Sequence, residues 1–249
     1  MQEEPVQIRI GRLLPGGQLV GEGANQPWRG IAATVAGEVA VIAKRISNRE
    51  MAVEVVCAAL GRSAGLPIPE PLLLLDSSNE WHFGSADTGH PNISKFVSSQ
   101  DNSILDELER WPELLAAACF DELIANPDRH DGNILFNGQG FLLIDHGLCL
   151  PSGMRPSDSS DDYYANRFLD LAISVCRDDL STERAARRAA EWAERKSQPA
   201  VDQAETCIFD HFESKTQNQL ISFLKERISS LGEMLHHKIK PTAQGRLKL

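Results

Sequence analysis

The stretch Asp121–Gly147, DELIANPDRHDGNILFNGQGFLLIDHG, decides the reading of this chain. An apolar helical run ends at Asn126-Pro127, since the residue before a proline is turned away from helix. A polar loop follows, carrying Asp128, His130, Asp131 and Asn133. Two short apolar runs, Ile134-Leu135-Phe136 and Phe141-Leu142-Leu143-Ile144, flank an Asn137-Gly138 turn and predict a hairpin. The second run ends in Asp145-His146-Gly147. Two carboxylates and an amide therefore stand at strand ends, in loops that a rigid scaffold can hold. Asn133 follows Asp128 by five positions, and Asp145 follows Asn133 by twelve.

That order of Asp, Asn and Asp resembles the catalytic core of the protein-kinase-like superfamily, in its atypical branches. DRHxxN followed by IDxG is similar to the phosphatidylinositol 3-/4-kinases. Asn126, Asp128, His130 and Asn133 also match the Asn-x-Asp-x-His-x-x-Asn loop of HipA-like bacterial kinases. Aminoglycoside phosphotransferases share the Asp-x-His-x-x-Asn core, so this core does not choose a substrate. The resemblance implies phosphoryl transfer from Mg-ATP. Asp128 would be the base that orients an acceptor hydroxyl, and His130 would brace the loop. Asn133 and Asp145 would hold magnesium, an ion that prefers a few hard oxygen ligands and keeps water and phosphate for the rest of its shell. The motif DHG departs from the DFG of ordinary protein kinases.

The fold implied is α+β and two-lobed: a small antiparallel β lobe over residues 1–100 and a mostly α-helical lobe over 101–249. Outward from the anchor, residues 6–45 predict β structure, with Ile31–Val35 and Val39–Ala43 joined at Gly37-Glu38. The stretch GEGANQP, Gly21–Pro27, reads either as a phosphate-covering loop, with Gly23 and Asn25 at the nucleotide, or as an ordinary turn. Strand alternation puts Ala40, Ile42 and Lys44 on one face. Lys44 resembles the kinase strand lysine that pairs the α- and β-phosphates. Ser47 and Glu50 form a capping box that starts a helix over 47–64, ended by Gly65 and Pro67. Glu54 on that helix is the candidate partner of Lys44; Glu50 is the rival, already explained by the cap.

Pro71–Leu75 predicts a buried strand, and Asp76–Gly89 a turn-rich connection. Ile93–Val97 is expected to be the last strand of the small lobe, with Phe96 and Val97 at the adenine. Helices are expected over 103–110, from Pro112 to Ile124, and over 163–176, 181–196 and 216–238. Between Gly147 and Phe168 a Ser-, Asp- and Pro-rich segment reads as a mobile loop, the counterpart of an activation segment.

The whole chain sets bounds. Its 249 residues carry a net charge of −10, which argues against direct nucleic-acid binding or an anionic membrane surface. The five cysteines form no C-x-x-C pair, and no signal peptide or apolar run of membrane-spanning length is visible. A cytoplasmic protein is expected. The acceptor would be a protein serine or threonine, or a small-molecule hydroxyl as in the aminoglycoside enzymes. HipA-like kinases often have an antitoxin or regulatory partner. Two readings compete: an HD-type metal-dependent phosphohydrolase built on His130-Asp131, and a pseudokinase that binds a partner without turnover.

Overall fold

The computed structural model describes residues 8–20, 26–99, 103–207 and 212–240. Six strands form one sheet: β1 (Arg9–Leu13), β2 (Gln18–Leu19), β3 (Trp28–Thr34), β4 (Gly37–Lys44), β5 (Pro71–Leu75) and β6 (Trp81–Ala86). β3 and β4 pair antiparallel from Trp28↔Ala43 to the turn at Thr34↔Gly37. β1 pairs antiparallel with β3 and also parallel with β5. That single parallel pairing departs from the expected all-antiparallel sheet and closes the strands into a ring.

The ring has its own apolar interior of Ala32, Val41, Ala43, Leu72 and Leu74. Period-two alternation explains it: Val41 and Ala43 point in, while Ile42 and Lys44 point out to the opposite face. The interior is so narrow that β6 needs glycine at 84, where a Cβ would come 2.4 Å from Leu74 Cδ1.

Helix α1 (Asn48–Ser63) begins at the expected capping box. Ser47 Oγ accepts from the Glu50 backbone N–H at 3.2 Å, and Glu50 Oε2 accepts from the Ser47 N–H at 2.9 Å. Every residue from Met51 to Gly61 is buried, so α1 is an interior helix with no solvent face over that span. It is packed between the sheet and the C-terminal helices. Then follow α2 (Ser94–Ser98), α3 (Ser103–Glu109) and α4 (Leu114–Leu123), the hairpin β7 (Ile134–Phe136) and β8 (Phe141–Leu143), and α5 (Arg167–Ser174). α6 (Asp179–Trp192) runs through a π-helical turn, Ala193–Ser197, into α7 (Gln198–Thr206), and α8 (Ser214–Ile239) crosses the helical half. No helix among the described residues is long and apolar enough to cross a membrane.

Several expectations are corrected. The segment read as turn-rich contains β6. Ile93–Val97 is helical, with Phe96 and Val97 N–H groups both donating to the Ile93 carbonyl. The chain leaves the sheet at Ala86; the expected lobe boundary near 100 lies outside the described residues. α6 starts at Asp179 behind an Asp178 cap, two residues before the expected start at 181, and α7 follows it unforeseen. Finally, the segment read as a mobile loop is tied down. Arg227 on α8 donates to the Pro156 and Asp158 carbonyls at 2.9 and 2.8 Å and to Glu122 Oε1 at 3.0 Å. Lys238 donates to Glu122 Oε2 at 2.8 Å and to Ser160 Oγ, and pairs with Asp161 at 2.9 Å. Ser160 is fully buried.

Candidate active site

The local fold around Asp128 starts with how α4 stops. Ala125 adopts a left-handed backbone, φ 49°, and the Asn126 N–H turns back to the Asp121 carbonyl at 3.0 Å. The Asn126 side chain then donates to Asp121 Oδ1 at 2.9 Å and accepts from the Asp128 N–H at 3.0 Å. Arg129 completes the brace. Its guanidinium forks onto both Asp121 oxygens at 2.9 Å and reaches the Asn133 and Ile144 carbonyls at 2.9 and 3.1 Å. Burial pushes the Arg129 pKa down, but the charge and hydrogen bonds of Asp121, with smaller help from other nearby groups, together outweigh it, so the net shift is upward. Arg129 is thus a buried brace and not a solvated residue. It ties the helix end, the loop and β8 together.

On this brace, Asn133 Nδ2 donates to the Asp128 carbonyl at 2.8 Å and to Asp128 Oδ2 at 3.2 Å. The amide is thereby oriented with Oδ1 away from Asp128 and without a partner among the described residues. His130 Nδ1 accepts from the Gly132 N–H at 3.0 Å, which leaves the proton of a neutral ring on Nε2, 3.8 Å from Asp128 Oδ2.

The second group of residues is centred on Lys44. Its Nζ lies 2.8 Å from Asp145 Oδ1 and 3.4 Å from Glu54 Oε1. Burial lowers the Lys44 pKa, and the Glu54 and Asp145 charges raise it by more. Glu54 is buried, and burial alone would raise its pKa; the Lys44 charge and then His146 hold it below the ordinary carboxylate range. Asp145 itself has φ 61°, a left-handed conformation uncommon for a residue with a Cβ. Glu54, not Glu50, is the partner of Lys44: the Glu50 carboxylate closes the cap at the helix start.

Both groups line one cleft of about 730 Å³ between the sheet and the helical half. Lys44, Glu54, Asp128, His130, Asn133 and Asp145 all reach it. Apolar walls come from Val20 and Ile42 on the sheet side and Leu135 and Leu143 on the hairpin. Phe96 and Val97 do not line it; Phe96 packs edge-on against Phe136 at 5.8 Å. In their place the cleft edge is formed by Ser85–Thr88 and His90, a segment the sequence did not single out, with Arg29 paired to Asp87 at 2.7 Å. Gly23 and Asn25 lie outside the described residues.

The donor set suits a magnesium ion carried with a polyphosphate. Asn133 Oδ1 and an Asp145 carboxylate are two hard oxygens on one cleft wall, and Lys44 supplies a cation beside them. Among the described residues no group of three or more His, Cys, Asp or Glu side chains could hold a metal by itself. A metal here would take the rest of its shell from water and ligand.

No family model matches the chain, and no curated protein matches it. Its fold is similar to a solved structure described as a Helicobacter pylori proinflammatory kinase, CtkA. The TM-score is 0.56 at 15% sequence identity, over 92% of this chain and 96% of that one. The chain has a two-lobed, kinase-like α+β fold.

Proposed function

We propose that this protein is a phosphotransferase that moves the γ-phosphate of Mg-ATP to a hydroxyl group. One observation carries the reading. Lys44 from the sheet, Glu54 from α1 and Asp145 from the hairpin meet in one chain of ion pairs, and it faces the same cleft as Asp128 and Asn133. The kinase-like fold supports it.

In this reading Asp128 orients the acceptor hydroxyl and takes its proton late in transfer. Asn133 keeps the Asp128 carboxylate in place through Nδ2 and turns Oδ1 to the metal. Lys44, fixed from behind by Glu54, would hold the α- and β-phosphates. His130 positions the loop by accepting the Gly132 N–H. Bound magnesium would neutralise the phosphate oxygens between Asn133 and Asp145. The apolar walls at Val20, Ile42, Leu135 and Leu143 would enclose the nucleobase, with Ser85–Thr88 along its edge in the place given earlier to Phe96 and Val97.

The acceptor we favour is a protein serine or threonine, from the HipA-like details of the loop. A regulatory partner or antitoxin belongs to the same resemblance. The HD-type hydrolase gains no support, because among the described residues His130 and Asp131 join no cluster of ligating side chains.

Transfer of labelled γ-phosphate from Mg-ATP is the test, with Asp128→Ala and Asp145→Ala as comparisons. We expect label on protein from the native chain and its loss in both variants. Label on a small molecule would reassign the acceptor. Mg-ATP binding without transfer would mean a pseudokinase, and neither binding nor transfer from a folded chain would overturn the reading.

A further inference from the structure

His146 follows Asp145, is 1% exposed, and has entered the site so far only by helping to hold the Glu54 pKa down. Its N–H donates to Glu54 Oε2 at 2.9 Å. Its imidazole Nδ1 lies 3.7 Å from the same oxygen, within ion-pair reach though longer than a formed hydrogen bond. The other nitrogen, Nε2, is buried and has no partner among the described residues. The ring also meets the Phe120 ring edge-on, with centroids 5.6 Å apart.

These facts select a tautomer. A proton on Nε2 would have nothing to donate to, while a proton on Nδ1 faces a carboxylate. The neutral ring is therefore Nδ1–H, and a bare Nε2 lone pair stays buried. Leaving a buried polar atom unmatched costs stability. A leucine or phenylalanine would fill the same apolar space without that cost, so packing does not account for an imidazole here.

We propose that His146 is a positioning residue. Its backbone N–H and Nδ1–H together direct Glu54, and through Glu54 they set Lys44 relative to Asp145. Glu54 Oε1 faces Lys44 while Oε2 faces His146, so the carboxylate is gripped from both sides. His146 is covalently next to Asp145, so the grip closes a loop: Asp145 to Lys44 to Glu54 to His146. The inference rests on the phosphotransferase reading for its effect on rate, but not for its effect on Lys44.

Three substitutions separate positioning from packing. In His146→Asn the amide nitrogen stands at the same number of bonds from the backbone as Nδ1. In His146→Gln it stands where Nε2 does. His146→Phe fills the space with no donor. Steady-state kinetics with Mg-ATP should leave Asn within a few-fold of native. Gln and Phe should lose roughly 10–100-fold in kcat, the usual scale for a group that orients a ligand residue, with a smaller change in KM. Trace acetylation of Lys44, read by mass spectrometry without ATP, should rise several-fold in Phe and Gln but not in Asn. A packing role predicts the reverse order, with Phe at least as good as Asn, and that order overturns the proposal. If the native chain transfers no phosphate, the function assigned above falls, while the acetylation pattern still decides whether His146 positions Lys44.

Discussion

At the scale of single residues, Glu122 shows what a buried charge demands. It has no exposure, and it is met by Arg227, Lys238, Ser160 and Asn166. Burial raises its pKa; Lys238 first and then Arg227 and Asn166 lower it by more, and the net shift is down. A carboxylate whose folded pKa lies below its unfolded value near ~4.3 contributes stability that is complete above that value. The contribution is lost as pH falls through the folded value. Denaturant midpoints from about pH 6 down to about pH 3 should therefore drop steeply for the native chain and less steeply for Glu122→Gln. Equal slopes would mean that folding leaves the Glu122 pKa unshifted, and a shallower native slope that Glu122 is protonated in the folded state. The site residues divide in the same physical way. Asp128, Asn133 and Asp145 were legible because their relation is local: one loop and one hairpin fix it. The choice of Glu54 over Glu50 became firm only with burial. The Asp121–Arg129 brace was not read at all, although an acid in the last turn of a helix opposes the macrodipole and so asks for a cation.

At the scale of elements, α1 is instructive. Its capping box and its end at Gly65 were readable, since both are written in adjacent residues. Gly61 was not. A Cβ there would come 2.3 Å from Ile68 Cδ1 and 3.0 Å from Phe120 Cζ, so the missing side chain leaves room for the Ile68 and Phe120 side chains against α1. Gly61→Ala should gain helix propensity yet destabilise the protein by about 1–3 kcal/mol from overpacking. Urea unfolding checks the sign, and a gain in stability would show that Ile68 moves aside freely. The elements that escaped the sequence share a cause: their signal lies in a neighbour. β6 (WHFGSA) looks like a turn because its inward position is Gly84, and Leu74 from β5 fills that space. Ile93–Val97 reads as a strand from its position in the chain, but its apolar residues fall at helical spacing and the Phe96 and Val97 N–H groups bond back to the Ile93 carbonyl. α7 was hidden behind Gln198-Pro199, where a proline suggests a stop. The π turn places that proline in the first turn of the next helix, where its missing N–H is tolerated.

At the scale of the molecule, the two halves of the chain were visible as a β-rich part and a helical part, but their coupling was not. The segment after Gly147 has the composition of a free loop, and long-range partners on α4 and α8 hold it. Hydrogen exchange should find the Ser160, Tyr163 and Tyr164 amides protected, since each donates within this network. Lys238→Met should speed exchange there and leave β7 and β8 unchanged. Rapid exchange at all three in the native chain would contradict the tie-down.

The parallel pairing of β1 with β5 has a bearing on how the protein meets other chains. Each strand of the ring has neighbours on both sides among the described residues, and the outermost edge is the two-residue β2. Sheets usually recruit peptides, or copies of themselves, by offering a row of unpaired backbone groups. This one has almost none to offer. An acceptor protein would have to be gripped by side chains and loops around Asp128, and strand exchange between copies would first require opening a closed ring.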